Sequence, residues 1–431
     1  MTKRTTIVII RGMKFEFFKE GKKLTSYFGY KLLLFSKERV NLMSEGAKKI
    51  SLAAMFSVAS VWFTTHAGAG FATGNQGWNY FGIHGVPGMI LPLVSMGILA
   101  WVIYEAMLMA QLLNTRNYGD VMKHLFKPYD KLYISFELFY YCIVLAAVGG
   151  VISASAGMVM ETIPMDTLLA TIIVGIVLLL LIIFGADLVR KVATILGVLI
   201  IVSGFSIYII GFTSRIDYIG EAISVMYAPQ GYMYPLLQAI IYCGFQCVSI
   251  PAMCACCEYL TTLKSLKISS FLGFLMNGFG VALAVWMLVG WKDVLFAAPA
   301  ELGAFTLPNL FICEQLGIPI LFHFYRLCLF ACLISTGVSC IFGIVVRLEN
   351  SFFQKSEGIM TNIMARRILI TSLSILACMG ISTFGLTQIV RVGYSYCGYL
   401  AIVCCVIPFL TIGRKKNREM LKSGNTGLIR E

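Results

Sequence analysis

Small and polar residues interrupt an apolar stretch early in the chain. The segment TTHAGAGFATGNQ (64–76) contains three glycines, a histidine and several hydroxyl and amide side chains. Irregular backbone survives at membrane depth only where it is buried in protein or lines a wet cavity. Peptide groups released at such a break can bind the polar ends of a small solute, so we expect a binding site here.

The two sides of this break differ in electrical character. If the helix is interrupted at 67–70, the outer half-helix begins near Phe71, and its N–H groups and the Thr73 hydroxyl suit a carboxylate. The inner half-helix ends at the break, where the carbonyls of Thr65, His66 and Ala67 suit a cation. A zwitterion therefore has complementary partners. We expect the solute to contact Ala67, Gly68, Ala69, Gly70, Phe71 and Thr73.

A second interruption lies in the segment GFQCVSIPAMC (244–254), near the middle of another long apolar stretch. A proline inside a helix removes one backbone hydrogen bond and clashes with the preceding turn. We expect Pro251 to start a new half-helix. Phe245, Gln246 and Ser249 are expected to face the same binding site as the first break.

The composition is that of a membrane protein. Of the 431 residues, 58% are hydrophobic and 13% are charged, whereas soluble domains carry about 25% charged residues. A membrane span takes about 20 apolar residues, and runs such as TIIVGIVLLLLIIF (171–184) are of this kind. We predict an all-α polytopic membrane protein with ten spans, near 51–81, 88–112, 131–160, 167–184, 191–213, 233–260, 266–290, 319–347, 367–386 and 392–412.

The net charge of +13 follows the predicted topology. Thirty of the 34 Lys and Arg residues lie in the two terminal segments and in alternate loops. This is the pattern of the positive-inside rule, and it predicts a multi-pass protein of the cell membrane with both termini cytoplasmic and no nucleic-acid partner. We expect a basic N-terminal segment (1–50), a transmembrane domain (51–412) and a basic tail (413–431). The first segment either lies along the membrane surface or precedes a true start at Met43.

Five spans separate the two interruptions. An odd number of spans in each half inserts the second half upside down relative to the first. Matching interruptions in two inverted halves are the best sequence indication of a transporter binding site. We therefore predict a 5+5 inverted repeat with broken helices 1 and 6.

The motif GAGFATG (68–74), followed by Asn75, resembles the first-helix signature GAGFASGQE of YkvI-type membrane proteins. These proteins belong to the amino acid–polyamine–organocation superfamily, which has the LeuT-like fold. The resemblance implies a secondary transporter with a central site between spans 1, 3, 6 and 8. His66 stands where relatives usually have an apolar residue, and Gln76 occupies the position of a customary glutamate.

The coupling ion has two candidate sites. In LeuT-like sodium symporters, adjacent hydroxyl residues of span 8 join carbonyls of span 1 around the ion, and Ser335 and Thr336 match that pattern. Ser339 is one helical turn from Ser335. The alternative is that these hydroxyls bond to their own helix. Protons are the other candidate, because His66 titrates nearest to physiological pH; a buried His66 held by a carbonyl is equally compatible with the sequence.

Ionisable groups within spans are costly and usually functional. Glu105 in span 2, Glu137 in span 3 and Arg326 in span 8 are therefore gating candidates. The carboxylates are alternatively parts of a polar network near the interface, and Arg326 alternatively extends its charged end to the membrane surface.

These patterns favour an ion-coupled secondary transporter of a small amphipathic solute, with an amino acid as the favoured class. Na⁺ or H⁺ is the expected coupling ion, with no other cofactor. The expected partners are the solute and the bilayer, and the sequence leaves the oligomeric state open. An enzyme is disfavoured because the chain contains no HExxH or GxSxG motif. The alternative is a non-transporting sensor or a channel on the same scaffold.

Overall fold

The computed structural model describes residues 6–10, 13–17, 52–66, 68–184, 186–299, 303–352 and 363–423. The chain forms two compact units, Met1–Ile50 and Ser51–Glu431. In the first unit, strands β1 (Thr6–Ile10) and β2 (Met13–Phe17) form an antiparallel hairpin. The sequence did not predict this hairpin. The expected membrane-surface segment lies mostly outside the described residues.

The second unit is helical throughout its described residues. The first five spans comprise α1 (Leu52–His66), α2 (Ala69–Ala72), α3 (Asn75–Tyr80), α4 (Val86–Leu112), α5 (Tyr118–Phe126), α6 (Tyr133–Met160), α7 (Thr167–Phe184), α8 (Ala186–Thr213) and α9 (Ile216–Ser224). The second five comprise α10 (Met233–Gln246), α11 (Ile250–Cys256), α12 (Leu263–Gly290), α13 (Lys292–Ala297), α14 (Pro308–Gln315), α15 (Pro319–Phe352), α16 (Ile363–Ser382) and α17 (Leu386–Ser423).

Eight of the described helical stretches are long and apolar enough to cross a membrane. The pair α8 and α9, bent by 64°, gives a ninth. Span 1 consists of the shorter helices α1, α2 and α3. The other spans are α4 (span 2), α6 (3), α7 (4), α8 (5), α10–α11 (6), α12 (7), α15 (8), α16 (9) and α17 (10). The prediction of an all-α polytopic membrane protein is confirmed.

The two interruptions differ in severity. The first helix ends at His66, and α2 begins at Ala69 rather than near Phe71. The chain turns again at Gly74, whose φ of 80° places it in the left-handed region that favours glycine. The sixth span is interrupted only by a 3₁₀ turn, Cys247–Ser249. Pro251 is the second residue of α11, where its missing N–H removes no helical hydrogen bond.

Packing between the spans follows an approximate two-fold relation. Span 1 packs on span 7 as span 6 packs on span 2. Span 5 packs on span 8 as span 10 packs on span 3, and span 4 packs on span 8 as span 9 packs on span 3. Two inverted five-span halves produce this exchange of partners, which is the predicted LeuT-like arrangement.

Candidate functional site

The break in span 1 lies beside the predicted hydroxyl residues of span 8. A Cβ atom placed on Gly68 would lie 3.8 Å from Thr336 Oγ1. Ser335 is buried, and its hydroxyl donates to the Cys332 carbonyl at 3.0 Å. Ser339 is exposed. Of the three hydroxyl residues, Thr336 is therefore the one that the structure brings to the break.

Thr65 lies at the inner end of the break. Thr65 is exposed, and its hydroxyl donates to the Val61 carbonyl at 2.7 Å, leaving its own backbone as the group available to a cation. Gly68, Gly70 and Phe71 are half-buried. Ala67 lies outside the described residues, and only the backbone of Ala69 is described.

His66 is held by two other spans. It is 5% exposed. Its Nδ1 lies 2.6 Å from Asn277 Oδ1, and its Nε2 lies 2.7 Å from the Tyr242 hydroxyl. Asn277 Nδ2 donates to the Gly273 carbonyl at 2.8 Å, so Oδ1 is the Asn277 atom that accepts from His66. In the neutral ring this leaves Nε2 to accept the Tyr242 hydroxyl proton.

Gln76 lies beside the same polar network. Its Oε1 is 3.5 Å from the Tyr242 hydroxyl, whose single proton goes either to this oxygen or to His66 Nε2. The amide packs directly against Gly70, where a Cβ atom would overlap it. Gly70 is therefore needed for close approach rather than for an unusual backbone angle. The His66 network is defined here as His66, Asn277, Tyr242 and Gln76, and it joins spans 1, 6 and 7.

The outer end of the break is closed by the loop before span 8. Asn309, fully buried on α14, donates from Nδ2 to the Ala72 carbonyl and to the Tyr208 hydroxyl, each at 3.1 Å. Its backbone N–H donates to the Thr73 carbonyl at 3.2 Å. The Tyr325 hydroxyl of span 8 also donates to Ala72. These bonds occupy carbonyls that the break releases.

Two further side chains order the outer part of span 1. The Thr73 hydroxyl donates to the Gly70 carbonyl at 3.1 Å and accepts from the Asn75 N–H at 3.3 Å, so it stabilises the turn instead of facing a solute. Asn75 Nδ2 donates to the Phe305 carbonyl at 2.8 Å and to Thr387 Oγ1 at 3.1 Å. The second bond ties span 1 to span 10.

The predicted residues of span 6 lie in a buried aromatic environment. The Phe245 ring is 4.8 Å from the Tyr242 ring and 5.2 Å from the Tyr394 ring, measured between centroids. Gln246 is buried. The Ser249 hydroxyl donates to the Gln246 carbonyl at 2.8 Å, so it is occupied by its own helix.

The gating candidates lie away from the break. Glu105 is buried and accepts from Asn417 Nδ2 at 2.8 Å, which ties span 2 to the end of α17. Glu137 lies 3.7 Å from Arg347. Arg326 lies 3.6 Å from Glu161. None of the three candidates contacts the His66 network.

Sequence reasoning missed Asn277, Asn309 and Tyr325. Asn277 could have been identified from the sequence, because it is the only amide side chain within the predicted span 266–290. Asn309 lies in a loop, and nothing in its local sequence points to span 1. Among the described residues, no group of three His, Cys, Asp or Glu side chains could hold a metal ion. A cation at the break would therefore use hydroxyl and carbonyl oxygens.

No protein-family model and no curated protein matches the chain. Among solved structures, the chain is similar to a mutant of the Eremococcus coleocola manganese transporter, with a TM-score of 0.49 and 12% identity over 83% of this chain and 78% of that chain. It is also similar to a Na⁺-coupled sialic acid symporter (TM-score 0.47, 12% identity, 85% of this chain and 98% of that chain) and to the inward-facing conformation of Mhp1 (0.46, 12%, 88% and 95%). At this identity the likeness concerns the fold alone.

Proposed function

We propose that the protein is a secondary active transporter that moves a small amphipathic solute across the cell membrane by alternating access. The observation that carries the proposal is the break in span 1, where half-buried Gly68, Gly70 and Phe71 lie beside the His66 network inside a bundle of apolar spans. Polar groups at membrane depth are costly and mark solute or ion pathways. Interrupted helices in an inverted repeat form such sites in transporters.

The two ends of span 1 support alternating access. On one side of the break, Thr64 and Thr65 are exposed. On the other side, Asn309 and Tyr325 occupy the Ala72 carbonyl. We propose that the exposed side is the open end of the site, because alternating access requires a site that is closed at one end only. With the topology inferred from the charges, this end faces the cytoplasm.

An amino acid is the proposed solute class. The backbone around Gly68 and Gly70 offers peptide groups to its charged ends, while half-buried Phe71 offers aromatic surface to an apolar side chain. Phe245 is 2% exposed and supports this region from behind. The bonds made by Thr73 and Ser249 move the proposed contacts away from these two hydroxyls. Gln76 and Gln246 remain as polar side chains beside the break.

Sodium is the proposed coupling ion. Na⁺ is a hard cation that takes oxygen ligands, and Thr336 Oγ1 lies close to Gly68. Carbonyls of Thr65, His66 and Ala67 would complete the site. The competing proposal is H⁺ binding at His66. A Thr336→Val variant should lose sodium dependence if sodium is correct, whereas an exposed-site Ser339→Ala variant should retain it.

The test is uptake of labelled amino acids into proteoliposomes under a sodium gradient, with potassium as the control. Gly68→Leu fills the break at a position where a Cβ meets nothing closer than 3.7 Å, and it should abolish uptake in a folded protein. The double variant Gly68→Leu/Gly70→Leu also displaces Gln76 and should block uptake completely. Gly380→Leu is the matched control, because a Cβ at Gly380 meets nothing within 4 Å. Uptake that survives the double variant refutes the proposed site. Ligand-dependent stabilisation without uptake would favour a sensor, and gradient-independent flux would favour a channel.

A further inference from the structure

A groove of about 280 Å³ lies between α4 and α12, outside the transport site. Its walls include Gly97, Phe271 and Phe274, and Gly97 leaves room beside the Phe274 ring, where a Cβ would lie 3.7 Å from Cε2. Phe271 and Trp101 are 57% and 44% exposed. In a membrane-spanning bundle, this exposed aromatic surface faces lipid.

Two cations flank one end of the groove. Lys267 lines it and is exposed. Arg414 of α17 places its guanidinium 4.7 Å from the centre of the Trp101 ring, which also lines the groove. Within the described part of the chain, neither cation forms an ion pair. This end of the groove therefore carries two positive charges.

One carboxylate, Glu105, accepts from Trp101 and offsets part of this charge from behind the groove wall. Glu105 is 4% exposed. It accepts from Trp101 Nε1 at 3.2 Å and from Asn417 Nδ2 at 2.8 Å. No acidic side chain lines the groove, so its two cations outnumber the single carboxylate behind its wall.

Ser270 gives an independent indication of a ligand. It lines the groove and is 6% exposed, yet its hydroxyl has no hydrogen-bond partner. Buried hydroxyls in native proteins are nearly always paired. Rotation of the Ser270 side chain toward the groove would let its hydroxyl donate to an oxygen-bearing ligand there.

We propose that this groove binds one anionic phospholipid. An acyl chain lies against Gly97, Phe271 and Phe274, the phosphate lies between Lys267 and Arg414, and the Ser270 hydroxyl donates to a lipid oxygen. Basic pockets between spans on the cytoplasmic side bind acidic headgroups, and Trp101 is typical of the membrane interface. The cations belong to the segments that the charge pattern assigns to the cytoplasm, so the lipid comes from the inner leaflet.

The test uses the full-length protein in detergent after removal of native lipid. Native mass spectrometry measures binding of dioleoylphosphatidylglycerol, with dioleoylphosphatidylcholine as the zwitterionic comparison. We expect one phosphatidylglycerol to bind selectively. The double variant Lys267→Gln/Arg414→Gln should weaken its binding about 25-fold, because each cation near the surface contributes about fivefold.

Lys264→Gln/Lys415→Gln is the matched control. It removes the same charge from the same two helices at exposed residues that do not line the groove. This control should bind phosphatidylglycerol as the unmodified protein does. Inorganic phosphate should not compete, because it lacks the acyl chain. Equal binding of the two lipids, equal loss in both double variants, or competition by phosphate would each overturn the proposal.

Discussion

Removing the Asn309 side chain should loosen the outer closure of span 1 without unfolding the protein. Asn309 Nδ2 has two hydrogens and three acceptors in reach, at 3.1 Å (Ala72 O), 3.1 Å (Tyr208 Oη) and 3.4 Å (Phe71 O). At most two of these bonds form at once. An Asn309→Ala variant loses both.

The cost is moderate because the carbonyls keep other partners. Ala72 O still accepts from Tyr325, and Phe71 O still accepts from the Gly74 N–H. The substitution also removes Asn309 Oδ1, which is buried without a partner. Each neutral hydrogen bond contributes about 0.5–1.5 kcal/mol, so we expect the closed state to lose about 1–2 kcal/mol. This is about a 5- to 30-fold change in the opening equilibrium.

Hydrogen–deuterium exchange measured by mass spectrometry tests this value. Amides of residues 70–80 and 303–315 should exchange about 5- to 30-fold faster in Asn309→Ala, because exchange reports local opening. Amides of α5 should not change. Gln315→Ala, at the exposed end of the same helix, is the matched control. Unchanged exchange at 70–80, or an equal increase throughout the protein, would refute the assigned closure.

Three further outcomes are expected. Gly74→Ala should lower the apparent unfolding temperature more than Gly317→Ala. Both glycines have a positive φ (80° and 68°), but only at Gly74 would the new Cβ overlap a neighbour. Equal decreases in the unfolding temperature of the two variants would contradict this. Glu105→Ala should expose the end of α17 to trypsin, because it removes a carboxylate that holds this segment; an unchanged cleavage rate would exclude that role. Burial lowers the pKa of His84 below its usual 6.5. As the pH falls through about 6.5, His84 therefore gains a proton in the unfolded chain but not in the folded protein. The free energy of unfolding should decrease in this pH range. His84→Gln should flatten this decline in thermal unfolding from pH 8 to 5.5, leaving the part due to His124, whose pKa burial also lowers; identical pH profiles would refute the assignment.

The sequence predicts the fold well because the patterns of hydropathy and charge are formed by residues that are neighbours in the sequence. Apolar runs locate the spans, and the first interruption lies where the glycines and polar residues indicate. The second half-helix begins at Ile250, one residue before the predicted start at Pro251. The interruption before it is a single 3₁₀ turn, Cys247–Ser249.

The site is less predictable because it depends on how each helix is rotated. Ser335 and Thr336 are adjacent, so they point about 100° apart on a helix with 3.6 residues per turn. The sequence does not choose between them, whereas packing places Thr336 beside Gly68. Partners such as Asn277 and Asn309 lie more than 200 positions from span 1, and no local pattern specifies such contacts.

The ion pairs of spans 3 and 8 clarify what a gate can be in this protein. At one end of the two helices, Glu137 of span 3 lies 3.7 Å from Arg347 of span 8. Glu161 of span 3 lies 3.6 Å from Arg326 of span 8 at the other end. Spans 3 and 8 are equivalent helices of the two inverted halves, so their two-fold relation brings them together at both ends, although span 3 supplies the acid in both ion pairs.

A gate must join segments that separate, and these ion pairs join the same two helices. We therefore expect Arg347→Gln to lower the unfolding temperature and to leave hydrogen exchange at residues 70–80 unchanged. The decrease in the unfolding temperature should be measurable, because the Arg347 guanidinium also lies 3.8 Å from the centre of the Tyr140 ring. Such a cation–π contact contributes about 0.5–2 kcal/mol. Faster exchange at 70–80 in this variant would show that spans 3 and 8 separate during opening. The contacts that cross from span 1 to the rest of the bundle, made by Asn75 and Asn309, would then no longer suffice as the outer gate.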